Sequence, residues 1–138
     1  MSDASINSLI FLFLLWVSFV HEIKATKYLE KHEINIYSDL PQSLVIHCAS
    51  KDDDLGTHTL NAGQVFTWHF RNQFFKRTLF FCHFWWGSKD KGIVVFQGGW
   101  DKDDYYYKYS YSANVFGIYL SNDEKDRKAN MGLVTTWD

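Results

Sequence analysis

The chain has one proline, Pro41, two cysteines, Cys48 and Cys82, and no excess of either charge, since 14 Lys and Arg stand against 16 Asp and Glu. The near-neutral balance gives no electrostatic grip on nucleic acid or on an anionic membrane surface. Two cysteines rule out a multi-disulfide scaffold, and there is no Cys-x2-Cys or His-x3-His spacing of the kind that frames structural zinc sites. Gly-x-Ser-x-Gly elbows, phosphate-cradling glycine loops and His-Glu-x-x-His motifs are absent too, so none of the common hydrolase, nucleotide or metalloprotease signatures applies. No Asn-x-Ser/Thr sequon occurs, so N-glycosylation is not expected.

Long apolar runs are scarce as well. The one present, Leu9 to Val20, is twelve residues. As a helix it reaches roughly 18 Å, well short of the roughly 30 Å hydrocarbon core of a bilayer. It reads as the hydrophobic region of a secretory signal peptide over residues 1–25, cut after Ala25, although the segment before it carries Asp3 and no Lys or Arg. No later stretch is apolar enough for a stable membrane anchor. The expected product is therefore a secreted, extracellular domain over residues 26–138, with a charge of about −1 once Asp3, Glu22 and Lys24 are removed.

What the chain does have is aromatic residues, 19% of the total, placed at a spacing of two rather than 3.6. Ile34 and Ile36 alternate with polar neighbours; Leu44 to Cys48 follows the turn at Asp39 and Pro41. Phe66, Trp68 and Phe70 share one face of a strand, and Phe80, Cys82 and Phe84 share one face of another. Ile93 to Phe96, Tyr105 to Tyr111, Val115 to Leu120 and Leu133 to Trp137 complete the set. Seven or eight short strands rich in β-branched and aromatic residues predict an all-β fold, a two-sheet antiparallel β-sandwich.

Three segments are distinctive. Ile46 to Cys48 runs into the acidic turn Asp52-Asp53-Asp54, closed by Gly56 and followed by His58; Gly63 to Phe70 forms an aromatic strand; Thr78 to Phe84 carries the second cysteine. Together they resemble the plant self-incompatibility S-protein homologue family over roughly Ile34 to Leu120. The resemblance implies a small secreted β-sandwich whose founding member is a stigma-side signal perceived by pollen. In that family the acidic turn recurs, either as a contact loop or as a structural turn, and many members carry a second cysteine pair where this chain reads Tyr105 to Tyr111. Cys48 and Cys82 are expected to form one disulfide with each other, the usual outcome for two cysteines in an exported chain. If pairing in the family crosses between the two cysteine sets, both would instead be free thiols.

The remaining chemistry is sparse. His47-Cys48 and Cys82-His83 supply two cysteines and two histidines, yet neighbours on a strand point to opposite faces, so the four cannot converge on zinc. Asp52, Asp53 and Asp54 lack the alternate spacing of a calcium loop and read as a solvated turn. No metal and no cofactor is expected, and no catalytic residue is assigned. A non-enzymatic extracellular ligand, recognised by a membrane receptor or another secreted protein through Asp52, Asp53, Asp54 and His58, is the leading expectation. The second is a module binding cell-wall glycans through Trp86, Trp100 and Tyr106, because aromatic faces stack on sugar rings and partner side chains.

Overall fold

The structure, a computed structural model, describes residues 7–17, 31–71, 78–100, 108–121, 123 and 125–138. The chain divides into residues 1–30 and 31–138, which are taken separately. In the first unit, residues 7–17 form a helix that includes the apolar run from Leu9 to Val17, its Phe13 and Trp16 rings 6.5 Å apart. Among the described residues no helix is long and apolar enough to cross a membrane.

Among the described residues nine strands build the second unit: β1 (Lys31–Ser38), β2 (Leu44–Ser50), β3 (Asp54–Leu60), β4 (Val65–Arg71), β5 (Leu79–Trp86), β6 (Lys89–Gln97), β7 (Lys108–Asn114), β8 (Gly117–Ser121) and β9 (Gly132–Thr135). They form two sheets, a five-stranded one in the order β4-β1-β7-β8-β9 and a four-stranded one in the order β3-β2-β5-β6. This is the expected β-sandwich. All ladders are antiparallel except the one between the neighbours β1 and β7, which run parallel.

The core follows from the alternation. Ile34, Ile36, Trp68, Tyr109, Tyr111, Ala113 and Ile118 point inward from the five-stranded sheet, and Leu44, Ile46, Cys48, Phe80, Cys82 and Phe84 point inward from the other. A slip of one residue in any of these strands would turn its rings into solvent. The ladder between β5 and β6 shifts register after Phe80, so that Phe80 faces Phe96 while Phe81 faces Val94. Val95 is the extra residue, and this bulge buries Val95 and Phe96 side by side. The buried Tyr111 hydroxyl donates to the Val95 carbonyl at 2.7 Å, a direct bond from one sheet to the other. Its burial pushes the phenol pKa up, which keeps it a donor.

Three expectations are corrected. The acidic segment is the tip of a hairpin, with Asp54 already in β3, a strand that the periodicity does not reveal. β3 is an edge strand in which only Leu60 is buried, so its polar face hides the alternation. Val115 and Phe116 lie in the turn between β7 and β8 rather than in a strand, and Phe116 is 73% exposed. The Asn114 side chain accepts from the backbone NH groups of Phe116 and Gly117 there, which fixes the turn. β6 begins at Lys89, four residues before the apolar run that announced it, because Gly87 at φ +59° lets β5 turn back into it at once.

Candidate functional site

Antiparallel pairing of β2 with β5 sets Cys48 opposite Cys82, Cα to Cα 4.1 Å, and the two are bonded. The bridge therefore staples two neighbours within the four-stranded sheet; it does not join the sheets. Both sulfurs are buried in the core. The same register places every other residue of β2 and β5 on the outer face, where His47 faces His83, Val45 faces Trp85 and Ala49 faces Phe81. Extended across β3 and β6, the outer face becomes a grid of three rows: Thr59-Val45-Trp85-Asp90, Thr57-His47-His83-Gly92 and Asp54-Ala49-Phe81-Val94.

The two histidines of the middle row turn in opposite directions, each to a carboxylate on the next strand. His47 Nε2 lies 2.7 Å from Asp54 Oδ1, and His83 Nε2 lies 2.8 Å from Asp90 Oδ2. Cysteines inside and histidines outside is the separation that strand geometry demands. Among the described residues no group of three or more His, Cys, Asp or Glu is arranged to hold a metal ion.

The acidic hairpin is held by its own backbone. Ser50 N donates to the Asp53 carbonyl at 2.7 Å, Asp53 N donates to Ser50 Oγ at 3.1 Å, and Gly56, at φ +83°, donates its NH to Asp54 Oδ1 at 2.9 Å. The Gly56 bond and then His47 hold the Asp54 carboxyl below its ordinary value. Asp54 is thus a structural member of the hairpin, while the Asp52 and Asp53 carboxylates stand in solvent. His58 does not join them. It donates from Nε2 to the Leu55 carbonyl at 2.7 Å and stacks on Phe66 of β4 at 3.9 Å, forming a corner between the two sheets.

The three aromatic candidates are not brought together either. Trp86 is half-buried at the end of β5, opposite the start of β6, packed on Trp137 at 5.5 Å, with its Nε1 donating to Gln42. Trp100 lies beyond the other end of β6, 43% exposed, in contact with Phe96 and Tyr109. Tyr106 falls outside the described residues. The exposed rings of the stapled sheet are Phe81, at 44%, and Trp85, at 39%. The Trp85-Trp86 pair is visible in the sequence as a candidate platform, but periodicity does not show that Trp85 rather than Trp86 is the exposed ring, and Phe81 is hidden beside the core aromatic Phe80. The cysteine pair was the signal that would have found them, since fixing Cys48 against Cys82 fixes the whole outer grid.

A family profile described as plant self-incompatibility protein S1 matches residues 33–137, well over half of the chain. Among Arabidopsis thaliana proteins, S-protein homolog 29 is 39% identical over 84 residues, 60% of this chain and 62% of its own length; S-protein homolog 2 is 41% identical over 69 residues, 49% and 43% of the respective lengths. S-protein homolog 8 is 29% identical over 130 residues, covering 91% of this chain and 95% of its own. The chain covers less than two thirds of the length of the first two of these relatives. In three dimensions it resembles, with a TM-score of 0.63 and 21% identity over 79% of this chain and 96% of the other, a structure of SPH (self-incompatibility protein homologue) proteins, described as a widespread family of small, highly stable, secreted proteins from plants. The chain belongs to the plant self-incompatibility protein S1 family.

Proposed function

We propose that the protein is a secreted, non-enzymatic extracellular ligand, recognised by a membrane receptor or another secreted protein through the acidic hairpin between β2 and β3. Its apolar leader, its single disulfide and its family's description as secreted support export. The observation that carries the binding role is the division of labour within the hairpin. Asp54 and Ser50 are spent on fixing the turn, and Asp52 and Asp53 are left as two adjacent carboxylates projected from a rigid support that the disulfide staples from below. Pre-organised charges of this kind bind without first losing loop entropy, and they suit a basic patch on a partner.

The oxidised protein, fluorescently labelled, should bind plant plasma-membrane vesicles saturably and in a protease-sensitive way. Asp52→Ser with Asp53→Ser should weaken that binding at least tenfold while leaving the melting temperature unchanged, because neither carboxylate holds the fold. Saturable binding that is indifferent to both substitutions would remove the hairpin from the interface.

A further inference from the structure

At one position of the stapled sheet's outer grid, Gly92, no side chain projects, and the His83 ring leans across it. The neighbours of Gly92 in β6, Asp90 and Val94, carry side chains on the same face, so the missing one opens a groove of about 500 Å³ lined by His47, Phe81, His83, Trp85, Gly92 and Val94. That volume lies in the range of small-ligand sites. Phe81 and Val94 form one wall. The other is His83 leaning on Trp85, ring centroids 4.3 Å apart and tilted by 34°. Any side chain at position 92 would intrude, as a Cβ there would lie 3.2 Å from His83 Nδ1. Backbone conformation does not demand the glycine, because its φ is not in the left-handed region.

The chemistry of the groove selects among occupants. Its rings are exposed without partners of their own beyond His83 and Trp85, so they offer faces for stacking. Its polar atoms are held in place: His83 Nε2 lies 2.8 Å from Asp90 Oδ2, which sets Nδ1 beside Gly92, and Asp90 retains a second oxygen. The two carboxylates of the face are each matched by a histidine, which gives an anion nothing to seek. The groove crosses the face of β2, β5 and β6, so an extended peptide lying in it has no strand edge to pair with and loses the backbone hydrogen bonds of strand addition. A ligand with flat apolar faces, many hydroxyl donors and no charge fits all of these features.

We propose that this groove binds a neutral pyranose chain, with a sugar ring seated over the row of His83 and Gly92, between Phe81 and Trp85, and its hydroxyls donating to His83 and Asp90. This site is separate from the acidic hairpin, and the two can fail independently. Its test is calorimetry and tryptophan fluorescence of the oxidised protein with cellohexaose, xylohexaose and mannohexaose, and with oligogalacturonide as the charged counterpart. One neutral oligosaccharide should bind with a Kd on the order of 100 µM and shift the tryptophan emission. Trp85→Ala, and Gly92→Val which enters the groove and pushes the His83 ring aside while keeping Phe81 and Trp85, should each weaken binding at least tenfold; Phe81→Ala serves as the second ring variant if Trp85→Ala does not fold. The proposal is overturned by no neutral binding up to about 10 mM, by binding that survives Gly92→Val, by preference for oligogalacturonide, or by displacement of the sugar by a tryptophan-containing peptide of higher affinity.

Discussion

The outer faces of the two sheets carry the same alternation and have opposite fates. On the five-stranded sheet the central part of the face, over β4, β1 and β7, is closed by its own polar atoms, and the apolar side chains it exposes, Val65 and Leu133, lie on its edge strands. Asn35, buried, donates to Glu33 at 3.0 Å and to Ser110 at 3.4 Å, and it accepts from Thr67 at 2.6 Å; Glu33 also meets His69 at 2.8 Å and Lys108 at 3.5 Å. Arg127 reaches in from the segment before β9 to bond Asp39 through both guanidinium nitrogens and Ser112 through one, with its charge 4.1 Å above the Tyr37 ring. The four-stranded sheet has no such cover among the described residues, and it presents Phe81, Trp85 and Val94 to solvent. Side chains that bond one another hold a fold together, whereas side chains left without partners on a rigid sheet are available to something else.

The greatest disturbance to this arrangement is removal of the staple. The disulfide closes a loop across a separation of 34 residues, worth roughly 4 kcal/mol in the loop-closure treatment. Reduction, or Cys48→Ala with Cys82→Ala, should lower the unfolding free energy extrapolated from urea denaturation by that amount, with a lower midpoint, and loosen the open face first, because β2 and β5 are the two central strands of its grid. An unchanged midpoint would show that ladder hydrogen bonds alone hold these strands. A smaller effect separates the faces by pH. Glu33 is held below its ordinary value of 4.5 chiefly by the Asn35 bond, and Asp39 below 3.8 chiefly by Arg127. A carboxyl whose folded pKa is depressed stabilises the fold above its unfolded pKa and loses that contribution as pH falls through the folded value. Stability should therefore be level down to about pH 5 and fall below about pH 4, with amide exchange in β1 and β7 accelerating before that in β5. Uniform loss across both sheets would mean that the polar ladder is not the acid-sensitive element.

How much of this was legible in the residues depends on burial. Strands with one face in the core, such as β4 and β5, declare themselves through Phe66, Trp68, Phe70, Phe80 and Phe84, and the two-sheet class follows from their number. β3 does not, because an edge strand carrying Asp54, Gly56, Thr57 and His58 has almost no apolar period to read. The candidate site was half legible. Asp52 and Asp53 are as exposed as a run of carboxylates must be, but Asp54 and His58 acquired structural partners that depend on chain reversal. Trp86 is half-buried because Trp137, 51 positions away in sequence, packs against it, a contact that no local pattern announces. Phe81, Trp85 and Gly92 matter only as neighbours on three strands, and neighbourhood is set by register, which only the paired cysteines could have announced.

The claim that one outer face holds the fold while the other is free to recognise is tested most directly by two truncations compared in the same denaturation experiment. Asn35→Ala takes a donor from the buried Ser110 hydroxyl and another from Glu33, so it should cost about 2 kcal/mol. Phe81→Ala, on the open face, should change stability by no more than about 0.5 kcal/mol. The opposite ranking, with the exposed ring costing more than the buried amide, would contradict the account.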